Sequence, residues 1–205
     1  MNRTTLALML AGSLAIAASP AAATITVYSA QLSGANENPA NASAGTGLAI
    51  ITVDDVLDTM EVQAFFSGLT GTTTASHIHC CAPAGSNAGV ATQTPFFAGF
   101  PIGVTSGTYN NTFDMTLTTS FSASFLAANG GTADSAFAAL IAGLDAGNAY
   151  FNIHTTAFPG GEIRGQLAAV PEPGTWMLLL GGFGLLGVVL RQRKRRPKDV
   201  CALRA

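Results

Sequence analysis

Gly45-Thr46-Gly47-Leu48-Ala49-Ile50-Ile51-Thr52-Val53, closed by Asp54-Asp55 and Asp58 and answered by Leu57 to Leu69, is the stretch that decides the architecture. The first run is apolar and β-branched, as strands prefer. The aspartates mark a turn, because an Asp side chain bonds its own backbone two residues on. In the returning run Met60, Val62, Ala64 and Phe66 share one parity, the period of a strand with one buried face. The two runs predict a hairpin.

The same punctuation continues on both sides. Ile25 to Leu32 alternates as a first strand and breaks at Gly34-Ala35-Asn36-Glu37-Asn38-Pro39. Ala75 to Cys80 is a short strand. A Gly/Pro/Ala/Ser stretch from Ala82 to Gly107 follows, containing Pro95-Phe96-Phe97, and loops of that length are functional or hide short elements. Thr108 to Thr118 predicts a strand with Tyr109, Phe113, Met115 and Leu117 on one face. Ser122 to Ala128 and Asp134 to Leu144 predict short helices. Phe137, Leu140, Ile141 and Leu144 form one helical face, with Thr132 or Asp134 as the cap. Ala149 to Thr155, a Pro159-Gly160-Gly161 turn and Glu162 to Ala168 complete the pattern. Short, regularly punctuated strands with one or two small helices predict an all-β fold, a Greek-key β-sandwich or a Greek-key barrel, its sheet antiparallel.

The two ends predict export. Arg3, the apolar run Leu6 to Ala18 and Ala21-x-Ala23 form a signal peptide over residues 1–23, cleaved between Ala23 and Thr24. The domain then occupies 24–169. Residues 170–196 begin with Val170-Pro171-Glu172-Pro173-Gly174. An apolar run of 16 residues, Thr175 to Leu190, follows and predicts a C-terminal transmembrane helix, short against the usual ~20. Arg191, Arg193, Lys194, Arg195 and Arg196 back it as a stop-transfer cluster. Cationic flanks stay in the cytoplasm, so 197–205 is a cytoplasmic tail and the precursor sits in the inner membrane.

Between Thr24 and Val170 the acids are Glu37, Asp54, Asp55, Asp58, Glu61, Asp114, Asp134, Asp145 and Glu162, and the only base is Arg164. The exported part is strongly anionic, which excludes nucleic acid as a partner and favours a cation. Cys80 and Cys81 are adjacent in this part. They are open to bridging each other, to pairing with another chain or to binding metal.

His77 and His79 leave the same face of one strand while Ile78 points the other way; in a later strand Asn152 and His154 oppose Phe151 and Ile153. The apolar partners choose the core, so the imidazoles project toward a polar surface or cleft. If the two strands are neighbours, His77, His79 and His154 converge as ligands for Zn or Cu, with Cys80 a possible soft ligand and Glu162 orienting a ring N–H from behind. The alternative is that the histidines only brace the sheet. Glu162 and Arg164 share a strand face and can pair. Asp54, Asp55 and Asp58 offer oxygens for Ca²⁺ but lack EF-hand spacing.

Pro171-Glu172-Pro173, the apolar segment Trp176 to Leu190 and the basic cluster after it resemble the PEP-CTERM sorting signal of Gram-negative bacteria. The resemblance implies processing by an exosortase near the tripeptide and delivery to the cell surface or extracellular matrix. Leu32-Ser33-Gly34-Ala35-Asn36-Glu37-Asn38-Pro39, Phe66-Ser67-Gly68-Leu69 and Ser76-His77-Ile78-His79 resemble a CHRD (chordin-type) domain. So do Tyr150-Phe151-Asn152-Ile153-His154-Thr155 and Phe158-Pro159-Gly160-Gly161-Glu162-Ile163-Arg164-Gly165-Gln166-Leu167. That likeness implies an immunoglobulin-like or superoxide-dismutase-like sandwich without a settled activity. The copper site of the dismutase needs more histidines than the three present here.

Taken together, these features predict an exported, non-enzymatic β-sandwich module. Its partners are the secretion machinery and an exosortase, then extracellular polysaccharide or surface proteins. The alternatives are a metal-binding or redox enzyme built on His77, His79 and His154, and a plain membrane-tethered protein.

Overall fold

The computed structural model describes residues 25–171 together with Phe183, Leu186 and Arg191. The signal peptide and its Ala23–Thr24 cleavage point lie outside the described residues. So do Glu172, Pro173, the rest of the apolar run and the rest of the basic cluster. Among the described residues no helix is long and apolar enough to cross a membrane.

Eight strands run as β1 (Ile25–Ser33), β2 (Thr46–Asp54), β3 (Thr59–Ser67), β4 (Thr73–Cys80), β5 (Gly107–Asp114), β6 (Ala149–Thr155), β7 (Ile163–Gln166) and β8 (Ala168–Ala169). Helices α1 (Ala123–Ala128) and α2 (Ala133–Asp145) separate β5 from β6. The strands form one antiparallel sheet in the order β4-β6-β7-β1-β2-β3-β5, with β8 also beside β1. The closing strand β7 thus returns next to the opening strand β1.

The β2–β3 hairpin pairs Thr46 with Ser67 through to Asp54 with Thr59. Met60, Val62, Ala64 and Phe66 face the core as their parity predicts. The turn, residues 55–58, is one residue longer than the sequence suggests. Asp54 Oδ1 accepts from the N–H groups of Val56 and Leu57 at 3.0 and 2.9 Å, which holds Leu57 out of the strand. Asp114 ends β5 early in the same way, accepting from Thr116 N at 2.9 Å, so Leu117 emerges exposed instead of extending the buried face. Ser122 and Thr132 cap the two helices through their hydroxyls. Helix α2 buries Phe137, Leu140 and Leu144.

The long connection from β4 to β5 is ordered by the core. It folds back along the free edge of β4, where Ala91 N and Phe97 N donate to the carbonyls of Ile78 and Ser76 at 2.9 and 3.2 Å. This satisfies edge groups that would otherwise face solvent unpaired. It also delivers Phe97, fully buried, between Phe151 of β6 at 5.8 Å and Phe113 of β5 at 5.3 Å. Strands β6 and β5 lie near opposite ends of the strand order, so this one ring ties the two halves of the curled sheet together. Cys80 and Cys81 form a disulfide packed on Gly143 of α2, where any Cβ would collide with both sulfurs.

Phe97→Ala should therefore destabilise the domain by about 3–5 kcal/mol in urea unfolding. Truncating the exposed Leu117 to Ala should change stability by no more than about 0.5 kcal/mol.

Candidate metal centre

Strands β4 and β6 are direct neighbours, with Ala75 opposite His154, His77 opposite Asn152, and His79 opposite Tyr150. Ile78, Phe151 and Ile153 are fully buried on the core side. All three histidines stand on the other face, and they converge. Yet two of them are nearly closed to solvent, His77 at 6 % exposed and His79 at 9 %, while His154 is half-buried. The returning β4–β5 connection and the turn after β6 lie over them.

Each ring is held from behind by a backbone carbonyl. Nδ1 of His77, His79 and His154 meets the carbonyl oxygens of Pro95, Ala88 and Pro159 at 3.1, 2.8 and 2.9 Å. A carbonyl only accepts, so each Nδ1 carries the proton and each Nε2 of a neutral ring presents a lone pair. Those nitrogens point at one another. Nε2 of His77 and His154 are 3.0 Å apart, Nε2 of His79 is buried without a partner, and the three ligand atoms lie within 4.8 Å of each other.

The electrostatics keep the rings neutral. Burial first, then the neighbouring His79 and His154, lower His77 to about 3 against the opposing bond to the Pro95 carbonyl. Burial likewise lowers His79 to about 4, opposed by its Ala88 bond and helped by His154 and Arg164. His154 is also lowered by burial, against its Pro159 bond. Three neutral imidazoles with inward lone pairs and carbonyl-bound N–H groups behind them are a ready set of donors for a borderline metal ion.

The surroundings differ from the sequence reading in two places. Glu162 orients no ring N–H: those positions are taken by the carbonyls. Its carboxylate is instead saturated at the β3–β4 corner by Ser43 Oγ, Thr70 N, Gly71 N and Thr155 Oγ1. Nor does Glu162 pair with Arg164. The guanidinium lies over the Tyr150 ring at 4.5 Å, donates to Asn36 O and Asn87 Oδ1, and sits 3.9 Å from Glu37 Oε2. The disulfide takes Cys80 out of the thiolate ligands. The acidic turn Asp54-Asp55-Asp58 uses Asp54 to bond its own backbone.

Sequence reasoning put Asn152 on the histidine face without giving it a role, and missed the roles of Tyr150 and Glu37. Tyr150 stacks on His79 at 4.6 Å, and its hydroxyl accepts from Ala88 N, steadying the residue whose carbonyl holds that ring. Its parity with Asn152 and His154 was the available signal. Glu37 is buried beside Arg164. Burial pushes it up to about 7, against the pull of Arg164, the Asn152 side chain and the Asn38 N–H.

These shifts predict the acid response of the metal-free fold. Below pH 6.5 the unfolded chain protonates three histidines that the fold keeps neutral, so stability is lost as pH falls. Glu37 acts oppositely, since its raised value makes the fold the better proton binder between 4.5 and 7. His77 and His79 outweigh Glu37, so near pH 5 unfolding should take up at least about one proton, and the lowered His154 adds to it. Urea midpoints measured from pH 7 to 4.5 should fall accordingly, and His77→Gln should flatten the slope by about one proton.

A family model for the CHRD domain matches residues 28–167, and one for the PEP-CTERM protein-sorting motif matches residues 169–195. Among curated proteins and solved structures none matches the chain. The sorting motif marks an exported, exosortase-targeted precursor. The chain therefore belongs to the CHRD-domain family and carries a PEP-CTERM sorting motif behind its β domain.

Proposed function

We propose that this chain is an exported metal-binding module, delivered by its sorting tail to the cell surface or the extracellular polysaccharide, that holds Zn²⁺ or Cu²⁺ through Nε2 of His77, His79 and His154. One observation carries the metal reading: His77 and His154 direct Nε2 at each other at 3.0 Å while both Nδ1 protons are committed to carbonyls. Facing lone pairs repel. A cation between them turns that repulsion into coordination and also satisfies the orphaned Nε2 of His79. Histidines that merely braced a sheet would have no reason to leave this arrangement without a proton or an ion.

The donor set favours a borderline ion. It offers imidazole alone, with no thiolate and no carboxylate in the group among the described residues. Hard cations such as Ca²⁺ prefer oxygen. The domain's many acids and single base suit attraction of a cation. For delivery, cleavage at 23/24 and near Pro171-Glu172-Pro173 would remove both apolar ends and release residues 24–169 as the mature domain.

Two measurements separate these parts. Elemental analysis of protein purified without a histidine tag should find about one Zn or Cu per chain. Chelation should lower its stability by about 2.7 kcal/mol where metal had been at a hundred times Kd. His77→Ala, His79→Ala or His154→Ala should each abolish the stoichiometry and the chelator response, and a folded wild type without either metal contradicts the reading. Intact mass of the surface form should lack the residues after the tripeptide; a C-terminus still at Ala205 contradicts tail removal.

A further inference from the structure

Four buried side-chain polar atoms lack a partner among the described residues, and three of them are His79 Nε2, Asn152 Oδ1 and Glu37 Oε1. Asn152 sits directly across from His77 and two residues before His154 on the same face of the sheet, and is 2 % exposed. Opposed side chains on antiparallel neighbours start roughly 5 Å apart, so the amide stands among the imidazoles. Its other neighbour is Glu37. A Cβ on Gly161 would lie 2.7 Å from Glu37 Oε1, 2.7 Å from Asn152 Nδ2 and 2.9 Å from Asn152 Oδ1, so the Glu37 carboxyl and the Asn152 amide lie side by side beneath that glycine, with the amide nitrogen bearing on the carboxylate and Oδ1 beside it. Its φ of 131° also belongs to glycine.

The histidines supply three donors, and no further His, Cys, Asp or Glu joins their group among the described residues. A metal ion of this class takes at least four ligands, and a site with three protein donors fills the remaining position with water or an exogenous ligand. A metal-bound water brings two O–H donors. Asn152 Oδ1 and Glu37 Oε1 are two buried acceptors that lack donors.

We propose that the three-histidine centre keeps one exchangeable coordination position, held at rest by a water that donates to Asn152 Oδ1 and Glu37 Oε1 and displaceable by small anionic oxygen or nitrogen donors. This rests on the metal reading above. Asn152 and Glu37 are then positioning residues for the bound water. The enclosure of all three orphaned atoms restricts the incoming ligand to small species.

Cobalt-substituted protein tests this without recourse to any activity. In the purified wild type, azide should change the visible cobalt bands saturably. Asn152→Ala and Glu37→Gln, checked for fold by circular dichroism and for unchanged cobalt stoichiometry, should each bind azide roughly three- to tenfold more tightly, the worth of one hydrogen bond lost by the resting water. Asn152→Ala carries no charge change and so isolates the hydrogen bond; Asn152→Ser replaces it should that variant not fold. Cobalt bands indifferent to azide overturn the exchangeable position and leave the metal reading standing. Wild-type azide affinity in both variants overturns the role of Asn152 and Glu37. Failure to bind cobalt at all overturns the metal reading itself.

Discussion

Three backbone carbonyls govern the chemistry of this domain. By accepting from Nδ1 of His77, His79 and His154, the oxygens of Pro95, Ala88 and Pro159 decide which nitrogen of each ring is bare and where it points. The rest of the architecture serves that alignment. The sheet order places β4 against β6 so the rings share a face. The folded-back connection brings Ala88 and Pro95 to the edge of β4, and Phe97, locked between β5 and β6, anchors it there. The turn through Pro159 is held by Glu162 and Thr155 at its base. Loosening any of these loops would free a ring to rotate, and the donor set would lose its geometry before the sheet lost its pairing.

Charge is distributed to the same end. A domain with nine acids and one base spends its single Arg164 beside the centre, over the ring that stacks on His79. The guanidinium gathers Asn36, Asn87, Glu37 and Tyr150, which come from three separate stretches of chain. It thereby welds the loop after β1 to the connection after β4. Burial does the remaining work on the histidines, and it acts in the useful direction. Desolvation penalises the imidazolium and leaves the neutral ring, the form that binds metal.

Strand parity was legible in the sequence. The alternation of Met60, Val62, Ala64 and Phe66, and of His77 and His154 against Ile78 and Ile153, put the right side chains on the right faces. The helix face of α2 and its Thr132 cap were equally local signals. The identity of the neighbours was not legible, because strand order is a long-range property, and whether His154 meets His77 depends on it. Carbonyl partners were invisible for a simpler reason: every residue has one. Glu162 misled because an acid at the right parity looks like an orienting group. Four donors from Ser43, Thr70, Gly71 and Thr155 claim it, and none is close to it in sequence except Thr155.

X-ray absorption at the metal edge tests the central claim most directly. With Zn²⁺ or Cu²⁺ loaded at one equivalent, the account predicts a first shell containing three imidazole nitrogens at ~2.0 Å and no sulfur. A shell with sulfur at ~2.3 Å, or with fewer than three imidazoles, would contradict it.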